Sequence, residues 1–222
     1  MKKFLYLIIF FTVTVFAQDN KENYWLDPEG KEIKDKFMAN LAKTYPDNSM
    51  AFRKTTDSGT VYQYNSPKYS TYKVDYKIIK AEIEKITNRT YSDSTIFLIN
   101  FNYLDDTCSD WFSNKLSSEI INKRKTFIEP LKKGIEYKSN VIHLTFFEKE
   151  ILLKNKPESK REYFFSDQNN FFRNNLFLNP TVCGSFGLMK PNGETLIRNG
   201  EYRLDYMHEH LKPEIWDAIF KQ

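Results

Sequence analysis

Apolar residues follow several different rhythms along this chain, and each predicts a different element. An apolar run, interrupted only by Thr12 and Thr14, fills residues 4–16, behind Met1-Lys2-Lys3 and ahead of Ala17-Gln18. Ile33, Phe37, Met38, Leu41 and Ala42 then recur at helical spacing, and Pro46 closes that stretch. Residues 52–64 read as a hairpin turning at Asp57-Ser58-Gly59, with Val61, Tyr62 and Tyr64 as strand formers. A helix is expected over residues 72–88, with Ile78, Ile79, Ile83 and Ile86 on one face and Lys77, Lys80, Glu82, Glu84 and Lys85 in water.

Residues 95–101 are nearly continuous in apolar and β-branched side chains, the signature of a strand buried on both faces. A helix follows from about Ser109, with Trp111, Phe112, Leu116, Ile120, Phe127 and Ile128 inward and Pro130 and Gly134 ending or kinking it. Residues 141–147 form a second buried strand. The Lys-rich stretch 148–162 reads as an insertion or solvated loop, residues 163–165 as a short strand, and Phe171, Phe172 and Leu176 as a helix before Pro180. Residues 185–189 and 195–197 pair about the turn Pro191-Asn192-Gly193. A closing helix carries Leu204, Met207, Leu211, Ile215 and Ile219 inward. Strands joined through helices, then a terminal hairpin, predict an α/β fold with a mixed sheet.

The first segment changes where this fold is expected to work. A short cationic end, an apolar stretch and small residues at Val15 and Ala17 make a secretory signal, cut after Ala17. The run is shorter than the ~20 residues a membrane span needs. An exported protein, periplasmic or extracellular, is therefore expected, with no span left after cleavage. Residues 18–50 would form an N-terminal extension and residues 51–222 the main domain. The 41% apolar content excludes a wholly disordered chain, and 2 Cys exclude a disulfide-dense miniprotein or a four-cysteine zinc module. The formal charge of +4 falls to +2 without Lys2 and Lys3, too weak a balance to predict a nucleic-acid partner.

Two stretches carry a family likeness. Leu98-Ile99-Asn100-Phe101 precedes Cys108, and Ser185-Phe186-Gly187-Leu188-Met189-Lys190-Pro191-Asn192-Gly193-Glu194 forms a strand and an Asn-Gly hairpin. Together with the element order, these resemble the thioredoxin fold over residues 51–222, and especially the exported bacterial thioredoxin-like proteins. The resemblance implies a three-layer sandwich with a mixed central sheet, here with an N-terminal α/β extension. It also implies that the loop before residue 185 packs against the segment carrying Cys108, which would bring Cys183 close enough for a disulfide. The sequence departs from the family at two points. Trp111 stands where the second cysteine of the paired motif would be, and no proline lies near Ser185, Pro180 being five residues earlier. An ordinary dithiol oxidoreductase is therefore not expected.

Cys108 and Cys183 are the candidate catalytic residues. A thiol at a helix start gains thiolate character from the dipole, but Asp105, Asp106 and Asp110 oppose it. A structural bridge, a slowly exchanging pair and two unrelated thiols all remain open. Asp105-Asp106 reads as a solvated capping turn. Tyr62, Tyr64, Tyr69, Tyr72 and Tyr76 are expected to form an exposed patch, in which Tyr62, Tyr64 and Tyr72 would bind an envelope protein or glycan if the chain is a non-catalytic module. His143, His208 and His210 do not have metal-site spacing, and no Gly-rich phosphate cradle appears, so no metal and no cofactor is expected.

Overall fold

The computed structural model describes residues 22–33, 43–49, 53–56, 59–106, 108–109, 113–138 and 140–220. The expected signal segment, the expected helix after Ile33, and Trp111 and Phe112 lie outside the described residues.

The chain first builds a small sheet. β1 (Glu22–Leu26) runs parallel to β4 (Gly59–Gln63), which pairs antiparallel with β3 (Arg53–Thr56), as the expected hairpin requires. β2 (Asn48–Ser49) pairs with β5 (Ser66–Pro67). The residues of the extension are thus hydrogen-bonded into the hairpin that follows them. Tyr62 stacks on Trp25 at 4.4 Å, and Tyr62 and Tyr64 are buried with Ile33, Tyr45 and Val182 around them. The expected exposed tyrosine patch is corrected here: Tyr62, Tyr64 and Tyr76 are buried, while Tyr69 and Tyr72 are half-buried. Tyr62 and Tyr64, two residues apart, share one face of the chain, and that face is the covered one.

β6 (Tyr69–Lys73) leads into α1 (Tyr76–Thr87). The expected helix therefore starts later, because Tyr69 to Lys73 pair with a late strand and Asp75 caps the first turn. The Asp75 carboxylate accepts the N–H groups of Lys77 at 2.9 Å and Ile78 at 3.3 Å. Ile79 and Ile83 face the core, whereas Ile78, about 100° round the helix from Ile79, is 57% exposed.

The main sheet follows: β7 (Ile96–Asn102), β9 (Val141–Glu148), β11 (Phe164–Asp167), β12 (Ser185–Met189) and β13 (Glu194–Asn199), in the order β11–β9–β7–β12–β13–β6. β7, β9 and β11 are parallel, while β12, β13 and β6 alternate antiparallel. This is a mixed α/β sheet with β7 at its centre, and the helices cover both faces. Phe97 meets Tyr76 of α1 and Tyr91 on one face. On the other, Asn102 and Phe147 meet Arg124 of α2 (Ser118–Lys138). Phe97, Phe101, Phe146, Phe147, Phe164, Phe172 and Phe177 are fully buried between these layers.

α2 starts about nine residues later than its apolar pattern suggests. Leu116 belongs instead to β8 (Lys115–Leu116), which pairs with β10 (Leu152–Leu153). Nor does Pro130 end the helix. Pro130 sits on an exposed face with Phe127, 61% exposed, and Gly134, so the Thr126 carbonyl that loses its donor lies on the solvent side. The stretch 148–162 is tied down rather than loose: Arg89 donates to the carbonyls of Ser159 and Glu162, and Lys125 pairs with the buried Glu162 carboxylate at 2.6 Å. α3 (Phe171–Asn175) precedes Pro180, and the closing helix is split into α4 (Leu204–Glu209) and α5 (Pro213–Phe220). Pro213, lacking an N–H, opens the second of these.

Candidate functional site

The centre of the sheet dictates which loops meet. β7 and β12 are antiparallel neighbours with Phe101 opposite Ser185, so the segment leaving β7 and the segment arriving at β12 share one corner. There Cys108 and Cys183, 75 positions apart in sequence, form a disulfide with their Cα atoms 4.9 Å apart. Both cysteines are half-buried. Cys108 is not at the start of a described helix, since α2 begins only at Ser118. The dipole argument for an activated thiol therefore has no support here.

One carboxylate organises the corner. Asp106, read from the sequence as a solvated turn residue, is buried. Its Oδ1 accepts the N–H of Cys108 at 3.0 Å and that of Cys183 at 3.1 Å, and its Oδ2 accepts the N–H of Gly184 at 2.9 Å. The last two are successive amides in the left-handed region, with φ of 69° at Cys183 and 73° at Gly184, and they converge on the carboxylate as an anion nest does. A Cβ on Gly184 would lie 2.6 Å from the Phe101 carbonyl oxygen, so the close approach to β7 requires glycine. Behind Asp106, Arg124 is buried over the rings of Phe147 and Phe164 and donates to Asn102 Oδ1 at 2.8 Å. Burial lowers its pKa to about 10, a shift that the negative charge of Asp106 opposes.

Beside the bridge opens a cleft of about 360 Å³. Asp105, Asp106 and Leu104 form the wall on the β7 side, and Pro180, Thr181 and Val182 the wall on the β12 side. Glu148 and Arg173 close one end. The Glu148 carboxylate accepts the Leu104 N–H at 2.8 Å and lies 3.4 Å from Arg173 Nε, while Arg173 also donates to the Phe177 carbonyl at 3.0 Å. Tyr103 lines the cleft but is itself buried, donating to Ser185 Oγ at 3.0 Å, and burial pushes its phenol pKa upward. Thr181 Oγ1 contacts the same serine at 2.9 Å and accepts the Gly200 N–H at 2.9 Å. These contacts fix the cleft walls to β12 and β13. The apolar atoms of Leu104, Pro180 and Val182 offer contact area, and the carboxylates around them offer acceptors.

The other expected residues do not join this site. Val182 packs against the cluster of Tyr62 and Tyr64, so those tyrosines support the disulfide loop from behind rather than face a ligand. Tyr72 sits on the edge strand β6, across β13 from the corner. His143 is buried in β9, and burial lowers its pKa to about 3. His210 is held between the Tyr69 hydroxyl and the Tyr206 carbonyl, each at 3.0 Å. Among the described residues, no group of three or more His, Cys, Asp or Glu could hold a metal ion, and no peptide bond is cis. The sequence reading missed Asp106, Tyr103 and Thr181 as parts of the corner. The available signal was an acidic residue two positions before a cysteine, just past a buried strand.

No family model, no curated protein and no solved structure matches this chain.

Proposed function

We propose that the chain is an exported, thioredoxin-fold protein that acts by binding, with Cys108–Cys183 as a structural staple fixing the cleft beside it. The thioredoxin reading is supported by the succession of β7, α2, parallel β9, the antiparallel β12–β13 hairpin and closing helices, which is the order the resemblance implies. The observation that carries the staple reading is the buried Asp106 carboxylate, hydrogen-bonded to the amides of both cysteines. A negative charge this close opposes a thiolate on either sulfur, and a thiolate is the species that attacks and leaves in exchange. The bound partner is an envelope protein or a glycan, held against the walls on either side of Asp106.

The test is intact mass of the protein recovered from its natural compartment, with and without alkylation after incubation in a glutathione buffer. The proposal expects a chain beginning at Gln18 that takes up no alkyl groups. A chain that retains its first residues contradicts the export reading. Two alkyl groups after mild glutathione treatment contradict the staple reading, because an exchangeable pair opens at glutathione potentials.

A further inference from the structure

We infer that Asp106 is the positioning residue of this disulfide, holding the backbone of both cysteines so that their sulfurs stay in bonding register whether or not the bond is made. The inference rests on the staple reading and goes beyond it by assigning the cause of the bridge's inertness to one side chain. A disulfide between residues 75 apart in sequence has nothing local to bring its ends together. Asp106 is two residues from Cys108 and accepts its N–H, yet it also accepts the N–H groups of Cys183 and Gly184 from the opposite loop. Cutting the S–S bond leaves these three hydrogen bonds in place. The two from Cys183 and Gly184 cross the same gap as the bond, and a carboxylate with two oxygens can take all three at once. The left-handed conformations at Cys183 and Gly184 aim their amides at it. Val182 packed on the Tyr62 and Tyr64 cluster, and Thr181 bonded to Ser185 and Gly200, hold the rest of the loop. The reduced corner therefore keeps its two thiols facing one another, and the effective concentration of one for the other stays high.

The chemistry balances with a small-molecule disulfide as oxidant. One cysteine thiol, losing its proton to water, attacks a sulfur of glutathione disulfide and releases one glutathione thiolate. The second cysteine thiol, likewise deprotonated, attacks the protein sulfur of the mixed disulfide and releases the other. Two protein thiols are oxidised to one bridge, and one glutathione disulfide is reduced to two glutathiones. Asp106 acts on the second step, which is intramolecular.

The experiment equilibrates the full mature chain and its variants in dithiol buffers of graded potential, then traps free thiols by alkylation and counts them by mass. D106N keeps the shape but loses the acceptor-only carboxylate, and should shift the equilibrium toward the dithiol 10- to 100-fold, about 30–60 mV. D106E keeps the charge but displaces it by one methylene, and should shift the equilibrium in the same direction. Formate added to D106A should restore part of the loss by occupying the vacated amides. Amide exchange on reduced wild-type protein supplies a readout that needs no variant: the Cys183 and Gly184 amides should stay protected without the bond. Unchanged equilibria in D106N, or a D106E equilibrium equal to wild type, would overturn the inference, as would loss of that amide protection on reduction. If instead wild type itself opens at glutathione potentials, it is the staple reading that fails, whatever the variants do.

Discussion

Replacing His143 with leucine isolates one buried group whose effect on stability has a definite sign. His143 lies in β9 beneath α2, fully enclosed, and neither ring nitrogen has a hydrogen-bond partner. The groups facing it are Lys132, whose positive charge disfavours a second cation, the ring of Tyr163 at 5.8 Å, and Glu136, whose carboxylate accepts the His143 backbone N–H. Burial first, and Lys132 second, lower the imidazole from 6.5 to about 3. Above pH 6.5 neither the folded nor the unfolded chain protonates this ring, and the group contributes nothing pH-dependent. As pH falls below 6.5 the unfolded chain takes up a proton that the folded chain refuses. Stability then drops by about 1.36 kcal/mol per pH unit, until the folded ring also titrates near 3. The loss reaches about 2.7 kcal/mol at pH 4.5 and about 5 kcal/mol at the acid limit. H143L lacks this term and also removes two unpaired buried nitrogens, so it should be at least as stable at neutral pH. Urea denaturation of both proteins at pH 7, 5.5 and 4.5 gives the difference directly, with the carboxylates common to both cancelling. Parallel loss of stability in wild type and H143L over that range would refute the reasoning.

Two further substitutions test the corner itself. The double variant C108S/C183S opens a 75-residue loop, and restricting such a loop contributes about 4.5 kcal/mol, so urea denaturation should show a loss of that order; a loss below about 1 kcal/mol would contradict a stabilising bridge. G184A should cost about 3 kcal/mol, because φ is +73° and the new Cβ meets the Phe101 carbonyl, whereas G134A in α2, with nothing within 4 Å, should gain a few tenths to about 1 kcal/mol.

The sequence was most legible where one pattern had one structural meaning. Residues 96–102, apolar but for Asn100 and Asn102, became the central strand, and the Asn-Gly turn placed β12 and β13 correctly to within two residues. The meeting of Cys108 and Cys183 was expected only from the family resemblance, and the antiparallel pairing of β7 with β12 is what places them at one corner. Legibility failed where side-chain type and environment parted company. Phe127 and Ile78 are apolar but face outward, since helical spacing alone leaves the edge of the buried stripe undefined. Tyr62 and Tyr64 look like a binding patch, yet β1 and Val182 cover them, and no local pattern records so distant a partner. Asp106 was the costliest miss. A carboxylate in an acidic turn belongs in water unless donors await it, and two of its three donors come from residues 77 and 78 positions away.

The central claim is that the Cys108–Cys183 bond is an inert staple, and its reduction potential measures that claim most directly. Titration of the oxidised chain against dithiol buffers, read by alkylation and mass, should give a midpoint below about −300 mV, the range of structural disulfides in secreted proteins. A midpoint in the range of about −120 to −270 mV, where exchanging oxidoreductases work, would contradict it.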